Sequence, residues 1–209
     1  MKKIIPQATL ERLPLYCRPL GEMLAENVRL TSSIQLGERL EISSVQIRKD
    51  LAYCGNFGLR GMGYDVEALR RQIKKLLGMH YKRRVAIVGA GHLGTALASY
   101  EKFSQLNFTL AAFFDNDKRI IGSEINDVKV YDAAKMESIA RRKIIDVGVI
   151  AIPKEYAQSA TDTLIAAGVK GIWNFAPTKI FVPEDVTLVN EDFVVSLSSL
   201  SYHITRNEG

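Results

Sequence analysis

Several common functional signatures are scarce or missing in this chain of 209 residues. It has only two cysteines, Cys17 and Cys54, with no CxxC spacing and no histidine cluster, so neither a disulfide framework nor a zinc site is expected. A Cys17–Cys54 redox pair is the alternative to two incidental thiols. Histidine is equally sparse. His80, His92 and His203 fall in a linker, inside a glycine loop and near the C-terminus, and none is placed for proton transfer. No apolar run approaches the roughly 20 residues that span a bilayer. Behind Met1-Lys2-Lys3-Ile4-Ile5-Pro6 there is no apolar signal core and no small-residue cleavage site. A cytoplasmic protein with no membrane partner is expected. Internal repeats and low-complexity tracts are absent too.

Charge is present, and it is uneven. Residues 1–84 hold 16 Lys/Arg against 8 Asp/Glu, whereas residues 85–209 hold 12 against 15. A basic N-terminal part followed by a mildly acidic remainder suggests that only the first part faces a polyanion. That first part reads as short helices. Leu10, Leu13, Leu20, Met23 and Leu24 recur at helical spacing from about Thr9 to Asn27, where Pro14 and Pro19 should disturb the helix or set its start. Ser32 with Gln35, and Ser43 with Gln46, each fit a capping box. Two short helices around a tight turn make a helix-turn-helix candidate. Its second helix carries Ser43, Ser44, Gln46, Arg48 and Lys49, residue types that bind phosphates and read base edges; an ordinary polar surface helix is the alternative. Residues 55–64, with four glycines and Arg60, then suit a β-hairpin wing whose tip enters a minor groove. A helix from Val66 to Leu77 follows, stopped by Gly78.

From Val85 the period changes. Val85-Ala86-Ile87-Val88 reads as a buried parallel strand, and Gly89-Ala90-Gly91-His92-Leu93-Gly94 follows it directly. A helix is expected from about Leu93 to Phe103, and a strand from Thr109 to Phe114 ending at Asp115. Further strands are expected at 128–130, 147–152 and 169–173, with a helix from Glu155 to Ala167. Strands alternating with helices predict an α/β doubly wound parallel sheet of Rossmann type. A glycine loop between strand and helix, with an acid at the end of the next strand, is the dinucleotide fingerprint. Gly89 makes the turn, Gly91 admits the pyrophosphate, and Gly94 lets helix and strand pack closely. Asp115 should bind the adenine ribose hydroxyls and repel a 2′-phosphate, favouring NAD over NADP, although Lys118 and Arg119 lie near. The same loop also fits a Rossmann-like domain for another nucleotide.

A dehydrogenase needs a proton-transfer group beside the nicotinamide. Tyr131 and Lys135 have YxxxK spacing, yet sit only about 40 residues after the loop, where chance accounts for them. Little chain remains for a substrate domain. A nicotinamide pocket behind a basic winged helix reads as a sensor, not an enzyme; an NAD-dependent oxidoreductase and a constitutive DNA- or CoA-binding module remain as alternatives.

At this point the chain resembles the Rex family of bacterial redox-sensing transcriptional repressors over essentially its whole length. The stretches that carry the resemblance are Ile5-Pro6 with Arg12-Leu13-Pro14-Leu15-Tyr16, residues 43–51, residues 58–64, Asn174-Phe175-Ala176-Pro177 and Leu200-Ser201-Tyr202. The resemblance implies a winged-helix DNA-binding domain in residues 1–80, an NAD(H)-binding Rossmann domain in 81–188, and a terminal helix in 189–209 exchanged within a homodimer. It implies palindromic operator DNA as partner, NADH and NAD+ as effectors, and release of DNA when NADH rises, controlling fermentation and NADH-reoxidation genes. By position it implies Arg48 and Lys49 in the major groove and Arg60 in the wing. Tyr100, Pro153 and Asn174 to Pro177 line the nicotinamide side, and Arg18, Tyr100 and Asp192 form a switch. Leu59 and Cys54 depart from the family's usual polar or basic and aromatic residues.

Overall fold

The structure is a computed structural model that describes residues 4–55, 58–59, 63–100, 103 and 106–208. The chain divides into two compact units, 1–81 and 82–209.

The first unit contains α1 (Gln7–Ala25), β1 (Leu30–Thr31), α2 (Ser33–Leu40), α3 (Ser44–Leu51), β2 (Gly58–Leu59), β3 (Gly63–Asp65) and α4 (Val66–Leu76). Helix α1 runs unbroken through Pro14 and Pro19, against the sequence expectation. An interior proline costs roughly 3 kcal/mol. Burial of Leu13, Tyr16, Leu20, Met23 and the Pro19 ring offsets it, at about 1.5–3 kcal/mol per large apolar side chain. These side chains meet Leu36 of α2, Ile47 and Leu51 of α3, and Val66, Leu69 and Ile73 of α4 in one core.

Local signals set the helix ends. Ser32 and Gln35 form a complete capping box on α2. The second expected box is only half formed: Ser43 accepts from the Gln46 N–H, but the Gln46 side chain turns to Asp50 instead of reaching back. Asp65 caps α4, and Gly78, at φ +69°, follows its end. Antiparallel β2 and β3, with β1 on the other side of β3, make a three-stranded sheet beside the α2–α3 pair. This is a winged helix-turn-helix. Arg60, expected at the wing tip, lies outside the described residues.

The second unit contains β4 (Arg83–Val88), α5 (His92–Ala98), β5 (Phe108–Asp115), β6 (Glu124–Ile125), β7 (Val128–Asp132), α6 (Met136–Lys143), β8 (Val147–Ile150), α7 (Lys154–Ala166), β9 (Gly171–Asn174), β10 (Thr187–Asn190) and α8 (Phe193–Glu208). The strand order is β10-β9-β8-β4-β5-β7-β6, all pairs parallel except β6 with β7. It is a Rossmann sheet whose order reverses around β4, which places a ligand crevice at the C-terminal ends of β4, β5 and β8. The central strands β4 and β8 are apolar on both faces because helices cover both.

Helix α5 stops at Ala98, short of the expected Phe103, and β8 stops at Ile150, leaving Ala151 and Ile152 to line the crevice. Strands β6 and β10 were not anticipated. Residues 189 and 190, expected in the terminal segment, complete β10.

Among the described residues, no helix is long and apolar enough to cross a membrane.

Candidate functional site

In the first unit, Ser43 caps α3, and Ser44, Gln46, Arg48 and Lys49 lie on its following turns. Ser43, Arg48 and Lys49 are exposed, and Ser44 and Gln46 half-buried. One Arg48 nitrogen donates to Ser33 Oγ at 3.0 Å, which ties α3 back to the start of α2. Behind this surface lies a group that sequence reasoning missed. Asp50 of α3, fully buried, accepts from Thr9 Oγ1 (3.0 Å), Arg12 Nε and Nη2 (2.7 and 2.8 Å), the Tyr16 hydroxyl (2.6 Å) and Gln46 Nε2 (3.0 Å). Burial opposes ionisation of this carboxyl, but the hydrogen bonds from Arg12, Tyr16, Thr9 and Gln46 outweigh it and hold the pKa at about 2. Burial and the Asp50 charge push the Tyr16 phenol upward. Thr9, Arg12 and Tyr16 share one face of α1, so a buried polar stripe at i, i+3, i+7 was the available signal.

The two thiols do no visible chemistry. Burial pushes Cys54 up to about 11 and raises Cys17 as well, so both stay protonated. Among the described residues no His/Cys/Asp/Glu cluster could hold a metal ion.

In the second unit the glycine loop bridges β4 and α5. Gly89 adopts φ +101°, and a Cβ there would strike the Ala151 carbonyl oxygen. A Cβ on Gly94 would strike the Gly89 carbonyl oxygen, so α5 packs directly on the loop. Gly91 differs: among the described residues nothing lies within 4 Å of its notional Cβ. The missing side chain there serves no packing within the protein, and the space suits a group approaching the backbone from outside. Ala90 lies buried in the loop, while His92 and Leu93 form the exposed first turn of α5. The Ala90 N–H donates to Asp115 Oδ2 at 2.7 Å and the Asp117 N–H to Oδ1 at 2.9 Å. The Asp115 carboxylate is thereby fixed at the end of β5, each oxygen retaining a lone pair for a hydroxyl. Arg119, a candidate 2′-phosphate ligand, is instead paired with Asp117 at 2.6 Å.

A cavity of about 500 Å³ opens beside the loop. Gly89, Gly91, Asp115 and Pro153 line it, and so do Met136 and Tyr156, which sequence reasoning did not single out. Its apolar walls and fixed carboxylate suit an adenosine, with the pyrophosphate running over Gly91 toward the first turn of α5. The residues present therefore fit a dinucleotide.

A group of aromatic rings lies on the other face of the sheet, where Trp173 and Phe175 pack against the cluster of Val85, Ile87 and Phe113. Tyr100 meets Phe103 edge-on with centroids 6.2 Å apart, Phe103 meets Trp173 at 6.2 Å, and Trp173 meets Phe175 at 4.7 Å. Phe193, at the start of α8, lies 6.2 Å from Phe175. Of these, only Tyr100 and Phe175 were anticipated. Asn174 is buried and holds the turn after β9: its Nδ2 donates to the carbonyls of Ala176 and Thr178 and to Asn190 Oδ1, and its Oδ1 accepts from the Ala176 N–H. That network gives Phe175, Ala176 and Pro177 their places. Arg18 sits on α1 and pairs with Glu22 at 3.0 Å; Asp192 caps α8 by accepting from the Val194 N–H.

Two family models match the chain, a putative DNA-binding protein N-terminus over residues 4–52 and a CoA binding domain over residues 80–178. The redox-sensing transcriptional repressor Rex of Syntrophomonas wolfei is 44% identical over 97% of this chain and 97% of that protein. The Rex of Chloroflexus aurantiacus is 42% identical over 97% of this chain and 96% of its own length. Among solved structures, RSP in complex with β-NAD+ and operator DNA matches with TM-score 0.93 and 41% identity, covering 99% of this chain and 95% of that one. RSP in complex with β-NADH matches at 0.86 and 40%, covering 99% and 97%. Identity of this order along the whole length, joined to a winged helix and a dinucleotide crevice, settles the family: the chain belongs to the Rex family of redox-sensing transcriptional repressors.

Proposed function

We propose that this chain is a cytoplasmic homodimeric repressor that binds palindromic operator DNA and leaves it when NADH rises relative to NAD+, controlling genes of fermentation and NADH reoxidation. The observation that carries this reading is the open space at Gly91 beside a fixed Asp115, in a chain whose other unit is a winged helix. In this reading the dinucleotide is an effector and is not turned over.

Gly89 to Gly94 and Asp115 hold the pyrophosphate and adenosine, and Asp115 excludes a 2′-phosphate. Pro153 and the turn of Asn174, Phe175, Ala176 and Pro177 close the far side, with Asn174 acting through the turn it braces. Tyr100 and the neighbouring aromatic rings surround the nicotinamide end. An uncharged dihydronicotinamide enters such an apolar setting at lower cost than the cationic ring. That difference in affinity is what lets NADH shift the conformational equilibrium. Ser43 and Ser44 contact phosphates, Gln46, Arg48 and Lys49 enter the major groove, and Arg60 enters the minor groove. Arg18, Tyr100 and Asp192 exchange partners between the DNA-bound and NADH-bound states. Purified protein is expected to retard a palindromic duplex in NAD+, and to release it in NADH but not in NADPH. Equal retardation in NADH and NAD+ would remove the sensing claim.

The dimer is read from α8. Phe193, Val194, Val195, Leu197, Leu200, Tyr202 and Ile204 are all between 49 and 67% exposed. An apolar surface of this extent marks an interface, and a second copy of the chain, exchanging this helix, covers it on both sides by symmetry. Losing two buried leucines per dimer at about 1.5 kcal/mol each predicts that Leu200→Asp weakens dimerisation about 100-fold or more. Sedimentation equilibrium reads this directly, and an unchanged dimer constant would place the interface elsewhere.

A further inference from the structure

Taking α3 as the helix that enters the major groove, the hydrogen bonds behind it constrain what one of its side chains can read. Gln46 is the third residue of α3, and its Nε2 donates to Asp50 Oδ1 at 3.0 Å. Asp50 is held ionised by Thr9, Arg12 and Tyr16, all on α1. An ionised carboxylate accepts and never donates. The Gln46 carboxamide therefore cannot turn over, because its carbonyl would then face the carboxylate. One N–H is committed to Asp50. The carbonyl Oε1 and the second N–H are left for an outside partner, and Gln46 contributes no atom to the buried, unpaired polar groups among the described residues.

A donor beside an acceptor, in fixed order, is selective. Adenine shows the N7 acceptor and the N6 donor in the major groove, and a glutamine meets both at once. Guanine shows two acceptors, N7 and O6. A free glutamine amide can flip or tilt to make the best of guanine; this one is braced by a salt-bridged carboxylate. We infer that Gln46 reads an adenine in each operator half-site, and that Asp50 gives it this specificity by fixing the orientation of its carboxamide. Asp50 is thus a positioning residue, and Gln46 the residue that touches the base.

The test uses the full-length protein and a palindromic duplex selected from a randomised pool. Each A·T pair is changed in turn, symmetrically, to G·C. One symmetric change is expected to weaken the parent about tenfold or more, the scale of a bidentate base contact. Gln46→Ala, and the volume-conserving Gln46→Met, are expected to bind that pair of duplexes within about twofold of each other. Both should keep the parent's melting temperature within a few degrees, since only one of the hydrogen bonds to Asp50 is lost. The inference is overturned if either folded variant keeps the parent's discrimination at every position. It is also overturned if both folded variants lose all duplexes alike, which would make Gln46 a determinant of affinity and not of sequence. A parent that selects no duplex at all would instead sink the DNA-binding reading on which this one stands.

Discussion

Gly91→Ala is expected to fold with a stability within about 0.5 kcal/mol of the parent and to bind NADH about tenfold or more weakly. The two halves of this expectation come from the same geometry. Gly91 has φ −75° and ψ −169°, which alanine adopts without strain, and its notional Cβ meets no atom of the described residues within 4 Å. The added methyl group therefore costs the fold nothing. It does project into the space through which the pyrophosphate must approach the backbone, where one surplus carbon costs about 1–3 kcal/mol. Gly94→Ala is the control with the opposite pattern: its Cβ collides with the Gly89 carbonyl oxygen and crowds Ile87, so the fold itself suffers. Thermal melts and an NADH titration followed by the emission of Trp173, the chain's single tryptophan, separate the two. A Gly91→Ala protein with parental NADH affinity would mean that the dinucleotide does not cross the loop.

Asp50→Ala is expected to lower the stability of the winged-helix unit by about 3–5 kcal/mol, a large share of the about 5–15 kcal/mol that keeps a domain folded. The cost arises because the substitution removes the acceptor but leaves the donors. Tyr16 is fully buried and Arg12 partly so, and both lose the charge they were built around. In calorimetry the transition should fall by more than about 10 °C, and DNA binding should fail with it because α3 loses its brace against α1. The acid limb follows from the same group. Its folded pKa, about 2, lies below the unfolded value of roughly 3.9. The stabilisation, roughly 2–3 kcal/mol, is therefore complete above that unfolded value. It is lost as pH falls from about 4 towards 2. Asp50→Ala should flatten this part of the stability profile; an unchanged acid limb would assign it to other carboxylates.

These two positions also show what could and could not be read from the sequence. Gly91 was legible because the glycine loop is local: strand, turn and helix start lie within a dozen residues, and each glycine answers a constraint of its own neighbourhood. The central strands were legible for the same reason, since burial on both faces demands short, continuously apolar runs. Strand β10 was not, because Thr187, Val189 and Asn190 are exposed at the sheet edge and leave no apolar run. Asp50 was hidden for a different reason. Thr9 and Arg12 stand 41 and 38 positions away in sequence, and only tertiary packing brings them to one carboxylate. The prolines of α1 misled because a local rule gave way to the burial of a whole helix face. The aromatic group was half seen: Tyr100 and Phe175 came through family resemblance, whereas Phe103, Trp173 and Phe193 join them only through the fold.

The central claim is that the state of the dinucleotide sets the affinity for DNA. The most direct measurement is the dissociation constant of the full-length protein for a palindromic duplex as NADH progressively replaces NAD+. Total dinucleotide and ionic strength must both be held constant, because salt alone moves such constants. The expected result is a sigmoid or hyperbolic weakening by about 5- to 150-fold, the usual range of coupling between two sites, with no change when NADPH replaces NADP+. A dissociation constant that stays flat across the whole range of ratios would contradict the account.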